Sequence, residues 1–227
     1  MKIALVGYGK MGKMVEQVAQ QQQYTISAIL DQFNNRNGEG ISLAALGNPD
    51  VAIEFSTPDT VFRNIEQLLS LSIPVVVGTT GWYERIDEVR EIVLRTDGSL
   101  VYSPNFSLGV NIFFRIVKFA ATQLSKFDDF DPYLFESHHR MKLDAPSGTA
   151  LNLESILRST LGDRAPKAVS LRAGFIPGSH EVGFDSTSET VRIVHSARNR
   201  EPFARGALLA AKLIQGRRGL YQFNELI

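Results

Sequence analysis

The sequence predicts an α/β chain: a doubly wound parallel sheet followed by a C-terminal α+β domain with an open mixed sheet. Three observations carry that expectation. Lys2-Ile-Ala-Leu-Val6 is a continuous apolar run, as in a strand covered on both faces, and it enters Gly7-Tyr-Gly-Lys-Met-Gly12 without a break. Strand-like runs and helical stripes then alternate with short connections as far as Tyr102. Beyond Asn105 the alternation stops, and one long apolar helix precedes a group of strands. The expected domains are residues 1–106, completed by 203–227, and residues 107–202.

After Gly12, Met14, Val15, Val18 and Ala19 recur at helical spacing, and Tyr24–Leu30 forms a second strand ending at Asp31. This is the context of a Rossmann-type dinucleotide fingerprint. Gly7 makes the turn, Gly9 admits a pyrophosphate to the backbone, Gly12 lets helix and strand pack closely, and Asp31 reaches the adenosine ribose. A carboxylate there accepts from a free 2′-hydroxyl and repels a 2′-phosphate, which favours NADH over NADPH. Arg36, close in sequence, softens that preference.

Gln32 to Gly47 reads as polar loop with a brief helical turn, and Val51–Phe55 as the third strand. Asp59 or Thr60 then caps a helix carrying Val61, Ile65, Leu68 and Leu69. The fourth strand, Pro74–Gly78, opens into Gly78-Thr-Thr-Gly81, whose hydroxyls and bare backbone suit a nicotinamide or its ribose. A helix with Ile86, Val89, Ile92 and Val93 leads to the fifth strand, Ser99–Tyr102. Ligands of such sheets bind beyond the carboxyl ends of the strands, so Ser103-Pro-Asn-Phe106 joins the cofactor candidates.

Ser107–Asn111 opens the long apolar helix, and its stripe of Ile112, Phe113, Ile116, Val117 and Phe119 is expected in the core, joining the domains. The most chemically dense stretch follows, Glu136-Ser-His-His-Arg-Met-Lys-Leu-Asp-Ala-Pro-Ser-Gly-Thr-Ala150. His138 and His139 stand side by side, with Arg140 and Lys142 just after them. If 138–142 is extended, His138, Arg140 and Lys142 share one side and His139 and Met141 the other. Ser147 is placed to cap a helix, so Gly148 and Thr149 offer helix-start N–H groups to a carboxylate or phosphate. The combination suits a small, doubly anionic substrate that must also be protonated.

The remaining strands, Ala168–Arg172, His180–Phe184 and Thr190–His195, read as antiparallel. His180 and His195 are taken as structural or surface residues. Arg200 is a clamp for a substrate carboxylate or a domain-interface contact, and the sequence leaves both open. Phe203–Ile214 is an apolar helix returning to the first domain.

Composition narrows the function classes. With 24 basic and 24 acidic residues, no net field draws the chain to nucleic acid or an anionic membrane surface. The absence of cysteine excludes disulfides, thiolate metal sites and cysteine nucleophiles, and no metal is expected. No apolar run is long enough to span a bilayer, so a cytoplasmic location is expected.

Taken together, Val6-Gly-Tyr-Gly-Lys-Met-Gly12, Gly78-Thr-Thr-Gly81, Pro104-Asn-Phe-Ser-Leu-Gly-Val-Asn111 and His138-His-Arg-Met-Lys-Leu-Asp-Ala-Pro-Ser-Gly-Thr149 resemble the 4-hydroxy-tetrahydrodipicolinate reductase family along the whole chain. The resemblance implies reduction of 4-hydroxy-tetrahydrodipicolinate, a small dicarboxylate, with NADH or NADPH in lysine and diaminopimelate biosynthesis, by a homotetramer joined through C-terminal sheets. It casts His138 as catalytic acid/base and Lys142 as proton donor, with His139, Gly148, Thr149 and Arg200 at substrate positions. Gly7, Tyr8, Gly9, Lys10, Met11, Gly12, Asp31, Gly78, Thr79, Thr80, Ser103, Pro104, Asn105 and Phe106 fall on cofactor positions. Departures stand out: the first turn lacks a further glycine common in the family, the segment Gln32–Asp50 is shorter than is common, and Met141 replaces a histidine found in some members. Another dehydrogenase, or a dinucleotide sensor that lost catalysis, would share the fold; His138 and Lys142 together argue against the sensor.

Overall fold

Interior strands of the first sheet are apolar at consecutive positions because helices cover both faces. In β1 (Lys2–Val6) alternate residues divide between them. Ile3 and Leu5 pack on one side with residues of α1 (Lys10–Gln21). Ala4 and Val6 pack on the other. The computed structural model describes residues 1–227 and divides into two units, Met1–Ser107 with Arg200–Ile227, and Leu108–Asn199.

The first unit continues through β2 (Thr25–Leu30), α2 (Leu43–Leu46), β3 (Val51–Glu54), α3 (Pro58–Ser70), β4 (Val75–Val77), α4 (Ile86–Arg95) and β5 (Ser99–Tyr102). The second contains α5 (Leu108–Leu124), β6 (Asp131–His138), α6 (Gly148–Leu161), β7 (Ala168–Arg172), β8 (Ser179–Asp185) and β9 (Thr190–Ser196). The chain then supplies the first unit with α7 (Glu201–Leu213), β10 (Gly219–Gln222) and α8 (Phe223–Leu226). The first sheet has the order β10-β5-β4-β3-β1-β2, and every pair in it is parallel. This is the doubly wound, Rossmann-type sheet expected. Its edge strand β10 was not foreseen, because Gly219-Leu-Tyr-Gln222 is short and half polar. The helix after β3 also starts differently: Thr57 is its N-cap and Pro58 its first residue, where Asp59 or Thr60 was expected to cap. Proline is well placed there, since the first helical N–H has no intrahelical partner to lose.

The second sheet has the order β7-β6-β8-β9. It is mixed, as expected, with β6 and β7 parallel and the other pairs antiparallel; of the strands read as antiparallel, only β7 departs. The parallel pairing follows from α6, which carries the chain back between β6 and β7. One face buries Leu134, Val182 and Phe184 against Phe113, Val117 and Ala121 of α5 and Leu153 and Leu157 of α6. The expected core stripe of α5 is split. Phe113 and Val117 are buried, but Ile112, Ile116 and Phe119 remain exposed, because the helix is apolar on more sides than its own unit covers.

Close backbone approach fixes one residue of α7. A Cβ on Gly206 would lie 1.6 Å from the carbonyl oxygen of Phe106. Gly206→Ala should therefore lower stability by about 1–3 kcal/mol, the usual cost of overpacking. An exposed helix position would instead gain roughly 1 kcal/mol from the same change. Urea unfolding of both proteins measures the sign.

Candidate active site

In the first unit, the three fingerprint glycines each meet a different steric demand. Gly7 has φ +95°, and a Cβ there would collide with the backbone of Phe55 and Ser56 at 2.3–2.5 Å. A Cβ on Gly12 would lie 2.2 Å from the Gly7 carbonyl oxygen, so helix and turn touch through backbone. Gly9, the N-cap of α1, has nothing within 4 Å of its missing side chain. That bare space at a helix N-terminus fits a pyrophosphate. A cavity of about 360 Å³ adjoins it, lined by Gly7, Tyr8, Gly9, Asp31, Phe33, Ser56 and Thr60 among others. Asp31 Oδ1 accepts the N–H groups of Phe33 (2.8 Å) and Asn34 (3.2 Å), which fixes the loop and orients the carboxylate. Tyr8 donates its hydroxyl to Glu16, and the ammonium of Lys13 lies 5.7 Å from its ring.

A second cavity in this unit, of about 230 Å³, gathers Met11, Gly78, Ser103, Pro104, Asn105, Phe106, Arg200 and Phe203. Five predicted cofactor positions therefore converge with Met11, and Arg200 joins them rather than a substrate cluster of its own. The segment 103–107 is held by its own side chains: the Ser103 hydroxyl donates to the Asn105 carbonyl (2.7 Å), and Asn105 Oδ1 accepts the Ser107 N–H (2.9 Å). Thr79 is buried, its carbonyl accepting the Trp82 indole N–H at 2.8 Å, whereas Thr80 and Lys10 are exposed.

The second unit builds its chemistry around Glu136, whose side chain is fully buried in β6. One oxygen, Oε1, accepts three hydrogen bonds: from the Ser147 N–H (3.0 Å), the Ser170 hydroxyl (2.7 Å) and the Arg172 guanidinium (2.7 Å). Burial alone would raise its pKa, but these donors outweigh burial and hold it at about 2. The other oxygen, Oε2, lies 3.0 Å from Nδ1 of His138 and 3.6 Å from Nε2 of His180. His180 Nε2 also meets the Ser147 hydroxyl at 3.1 Å, and the two imidazole rings stand edge to face at 5.1 Å. These three residues offer metal-ligand-type atoms within 4.8 Å of one another. Arg172 already supplies the positive charge that a cation would bring.

Burial depresses the pKa of His138, the Glu136 carboxylate pulls it back in part, and Lys142 and Arg172 add to the depression. Burial, with His138 beside it, lowers His180 further, to about 4. Both are neutral imidazoles at pH 7. Ser147 caps α6 as expected, its hydroxyl accepting the Ala150 N–H at 3.2 Å, and Gly148 and Thr149 are the helix's first residues. Lys142 donates to both carboxylate oxygens of Asp144, at 2.7 and 2.9 Å, and this contact lowers the Asp144 pKa.

One geometric expectation fails. The strand ends at His138, and residues 139–142 form a turn in which the Lys142 N–H bonds the His139 carbonyl at 3.0 Å. Alternation of 138, 140 and 142 on one side therefore does not hold. A turn brings Lys142 back by its hydrogen bonds, not by strand parity. Met141 is exposed, and Arg140 leans toward the exposed ring of Phe175 at 5.6 Å. Glu136, Arg172 and His180 were not singled out as functional. Their only sequence signals were a charged residue at an inward position of one strand and a histidine at an inward position of another.

The class these features define is a NAD(P)H-dependent oxidoreductase, with a dinucleotide cradle in one unit and proton-handling groups in the other. Comparison with known proteins then gives the family. Residues 1–106 match the family model described as dihydrodipicolinate reductase, N-terminus, and residues 109–227 match the corresponding C-terminus. The chain belongs to the dihydrodipicolinate reductase family. It is 34% identical to the 4-hydroxy-tetrahydrodipicolinate reductase of Christiangramia forsetii, with 100% of this chain and 98% of the other aligned. It is 35% identical to the protein of that name from Staphylococcus saprophyticus, over the full length of both. The solved dipicolinate-bound dihydrodipicolinate reductase of Paenisporosarcina sp. TG-14 superposes with a TM-score of 0.84 at 20% identity, covering 100% of this chain and 99% of that one. That likeness shows the same fold.

The low pKa of His180 carries a stability prediction. The unfolded state, with an ordinary histidine pKa near 6.5, binds a proton before the folded state does at about 4. Stability therefore falls as pH drops from 6.5 towards 4, by up to about 3 kcal/mol from this group. His180→Gln keeps a polar atom facing Ser147 but cannot titrate. Its urea midpoint should change less between pH 7 and pH 5 than that of the wild type.

Proposed function

We propose that this chain reduces 4-hydroxy-tetrahydrodipicolinate to tetrahydrodipicolinate with His138 as acid/base and Lys142 as proton donor. The observation that carries the reading is the juxtaposition in the second unit of a buried His138, the Lys142 turn and the start of α6. The first unit serves as the dinucleotide-binding domain and the second as the substrate-binding and oligomerisation domain. The curated relatives bear the name of this reductase, and one solved structure of the same fold holds dipicolinate, a planar dicarboxylate.

The residues divide the task. The cofactor, when bound, supplies a hydride. Lys142, His139 and the N–H groups of Gly148 and Thr149 bind the substrate carboxylates. Loss of the 4-hydroxyl as water leaves a conjugated, imine-like ring, and hydride addition at its C4 drives charge towards the ring nitrogen. Lys142 stabilises that charge and delivers the proton, while His138 exchanges protons at Nε2. The two carboxylates of a bound substrate raise the pKa of His138 towards neutrality, opposing the burial that lowers it.

Asp31 supports a preference for NADH, since the carboxylate is held in place by the loop and has an oxygen left for a ribose hydroxyl. The exposed Arg36 lies on the same loop. A homotetramer in the cytoplasm completes the proposal. Supporting the oligomer, the sheet face away from α5 and α6 is open and carries exposed Val169, Leu171 and Val194. Tyr133, Glu181 and Arg192 are linked there by hydrogen bonds of 2.6–2.7 Å.

Two experiments test this reading. With NADH or NADPH and enzymatically generated substrate, wild-type turnover should be robust, and His138→Gln and Lys142→Ala should each lose at least about 100-fold in kcat, the scale of general acid–base catalysis. Absence of wild-type turnover despite cofactor binding would remove the assignment. In sedimentation velocity, the wild type should run as a tetramer and Val169→Asp as a smaller species; an unchanged distribution would place the interface elsewhere.

A further inference from the structure

A buried acceptor and a buried donor with no other partner stand together in the second unit. Glu136 Oε2 and His138 Nδ1 are 3.0 Å apart, and neither makes a regular hydrogen bond to any group. At that separation only the direction of the N–H is wrong, and catalytic hydrogen bonds are often misaligned before substrate binds. Leaving both atoms buried and unpaired is costly, so a small rotation of the ring to join them is favoured. We propose that Glu136 is the positioning residue of the site: it holds the Nδ1–H of His138, so that Nε2 is the atom left to exchange a proton.

The carboxylate is fit for this because its other oxygen is fully committed. Oε1 takes donors from the start of α6 (Ser147) and from two positions of β7, Ser170 and Arg172. The plane of the carboxylate is thus set by backbone and by a guanidinium, and Oε2 is left 3.0 Å from His138 Nδ1, nearer than the 3.6 Å to His180 Nε2. Arg172 is itself tied to the Asp144 carbonyl at 2.6 Å. The charged and titratable groups around the pair are Glu136 on the histidine's own strand, Arg172 on β7, His180 on β8, and Lys142 and Asp144 in the turn. On the far side of the ring the structure keeps room at Nε2. Gly178 has φ +146°, and a Cβ there would lie 3.0 Å from Nε2 and 3.1 Å from Cδ2. A glycine in that conformation clears the reacting nitrogen, while Glu136 holds the opposite one.

A carboxylate and an amide of the same shape have opposite consequences here. In Glu136→Gln the three donors at Oε1 require the carbonyl oxygen there, which turns the amide NH₂ towards His138. Nδ1 must then accept, and the proton moves to Nε2. The inference rests on His138 being the acid/base, and the test separates the two. In full-length protein labelled with ¹⁵N-histidine, neutral His138 in the wild type should show the Nδ1–H tautomer, and in Glu136→Gln the Nε2–H tautomer. The variant's kcat should fall at least about 100-fold, as other enzymes lose when a histidine is held in the wrong tautomer, with KM changed only a few-fold. The limb of the pH–rate profile set by His138 should move at least about one unit lower, because the carboxylate that favoured the imidazolium is gone. A wild-type His138 in the Nε2–H form would overturn the proposal, even if the variant failed to fold. So would a Glu136→Gln enzyme within threefold of wild-type kcat while His138→Gln is inactive. Activity in both variants would instead remove His138 from the chemistry, with the tautomer measurement still deciding what Glu136 does.

Discussion

A carboxylate taken out of water must be surrounded by donors or lose its charge, and in the second unit that requirement reaches four elements at once. Glu136 sits on β6, draws in Ser170 and Arg172 from β7, takes the backbone N–H that precedes α6, and faces His180 of β8. Removing any donor would leave a buried charge short of compensation, so the arrangement is held by energy and not by packing alone. The apolar contacts of α5 and α6 bring the strands together. The carboxylate decides how the polar ends of those strands are registered against the start of α6. The histidine, the helix-start donors and the lysine-bearing turn are consequently parts of one rigid construction.

In the first unit the governing constraint is the opposite one, the absence of side chains where backbones meet. Gly7, Gly12 and Gly206 each stand where a Cβ would overlap a backbone atom. These contacts fix the turn after β1, the approach of α1 to it, and the seat of α7 on the segment ending at Phe106. What they leave open is the space beside Gly9 and the two cavities lined by predicted cofactor residues. Rigid backbone around an open space is preorganisation: little has to be ordered when a ligand arrives.

The parallel sheet was legible because both of its faces are buried, which writes each strand as an uninterrupted apolar run. The glycine turn was legible because its demands are local, set within a few residues of chain. Legibility ended where pairing across the sheet made the arrangement. Arg172 lies 36 residues from Glu136 and His180 lies 44 away, and only the registers of β7 and β8 on β6 bring them in. His180 sits opposite Glu136 in that register, so a histidine read as structural stands against the candidate acid/base. The turn after His138 was missed for a related reason. A strand pattern carries no mark of its last residue when charged side chains continue beyond it. The exposed half of the α5 stripe and the mixed pairing of β7 depend on what covers each face, and periodicity cannot supply that.

The same electrostatics links binding to proton transfer. Without ligand, the burial of His138 and the nearby cations Lys142 and Arg172 all disfavour an imidazolium, while Glu136 and, less, Asp144 favour one. Lys142 meanwhile is paired with Asp144. In the proposed reaction, a dianionic substrate bound beside Lys142 and the start of α6 would offset the two cations and give the lysine a second anionic partner. Each change moves His138 towards holding a proton. A site that is neutral at rest and takes up a proton with its ligand exposes the acid only when there is something to protonate. The buried carboxylate favours that rise, because it opposes the burial that lowers the histidine.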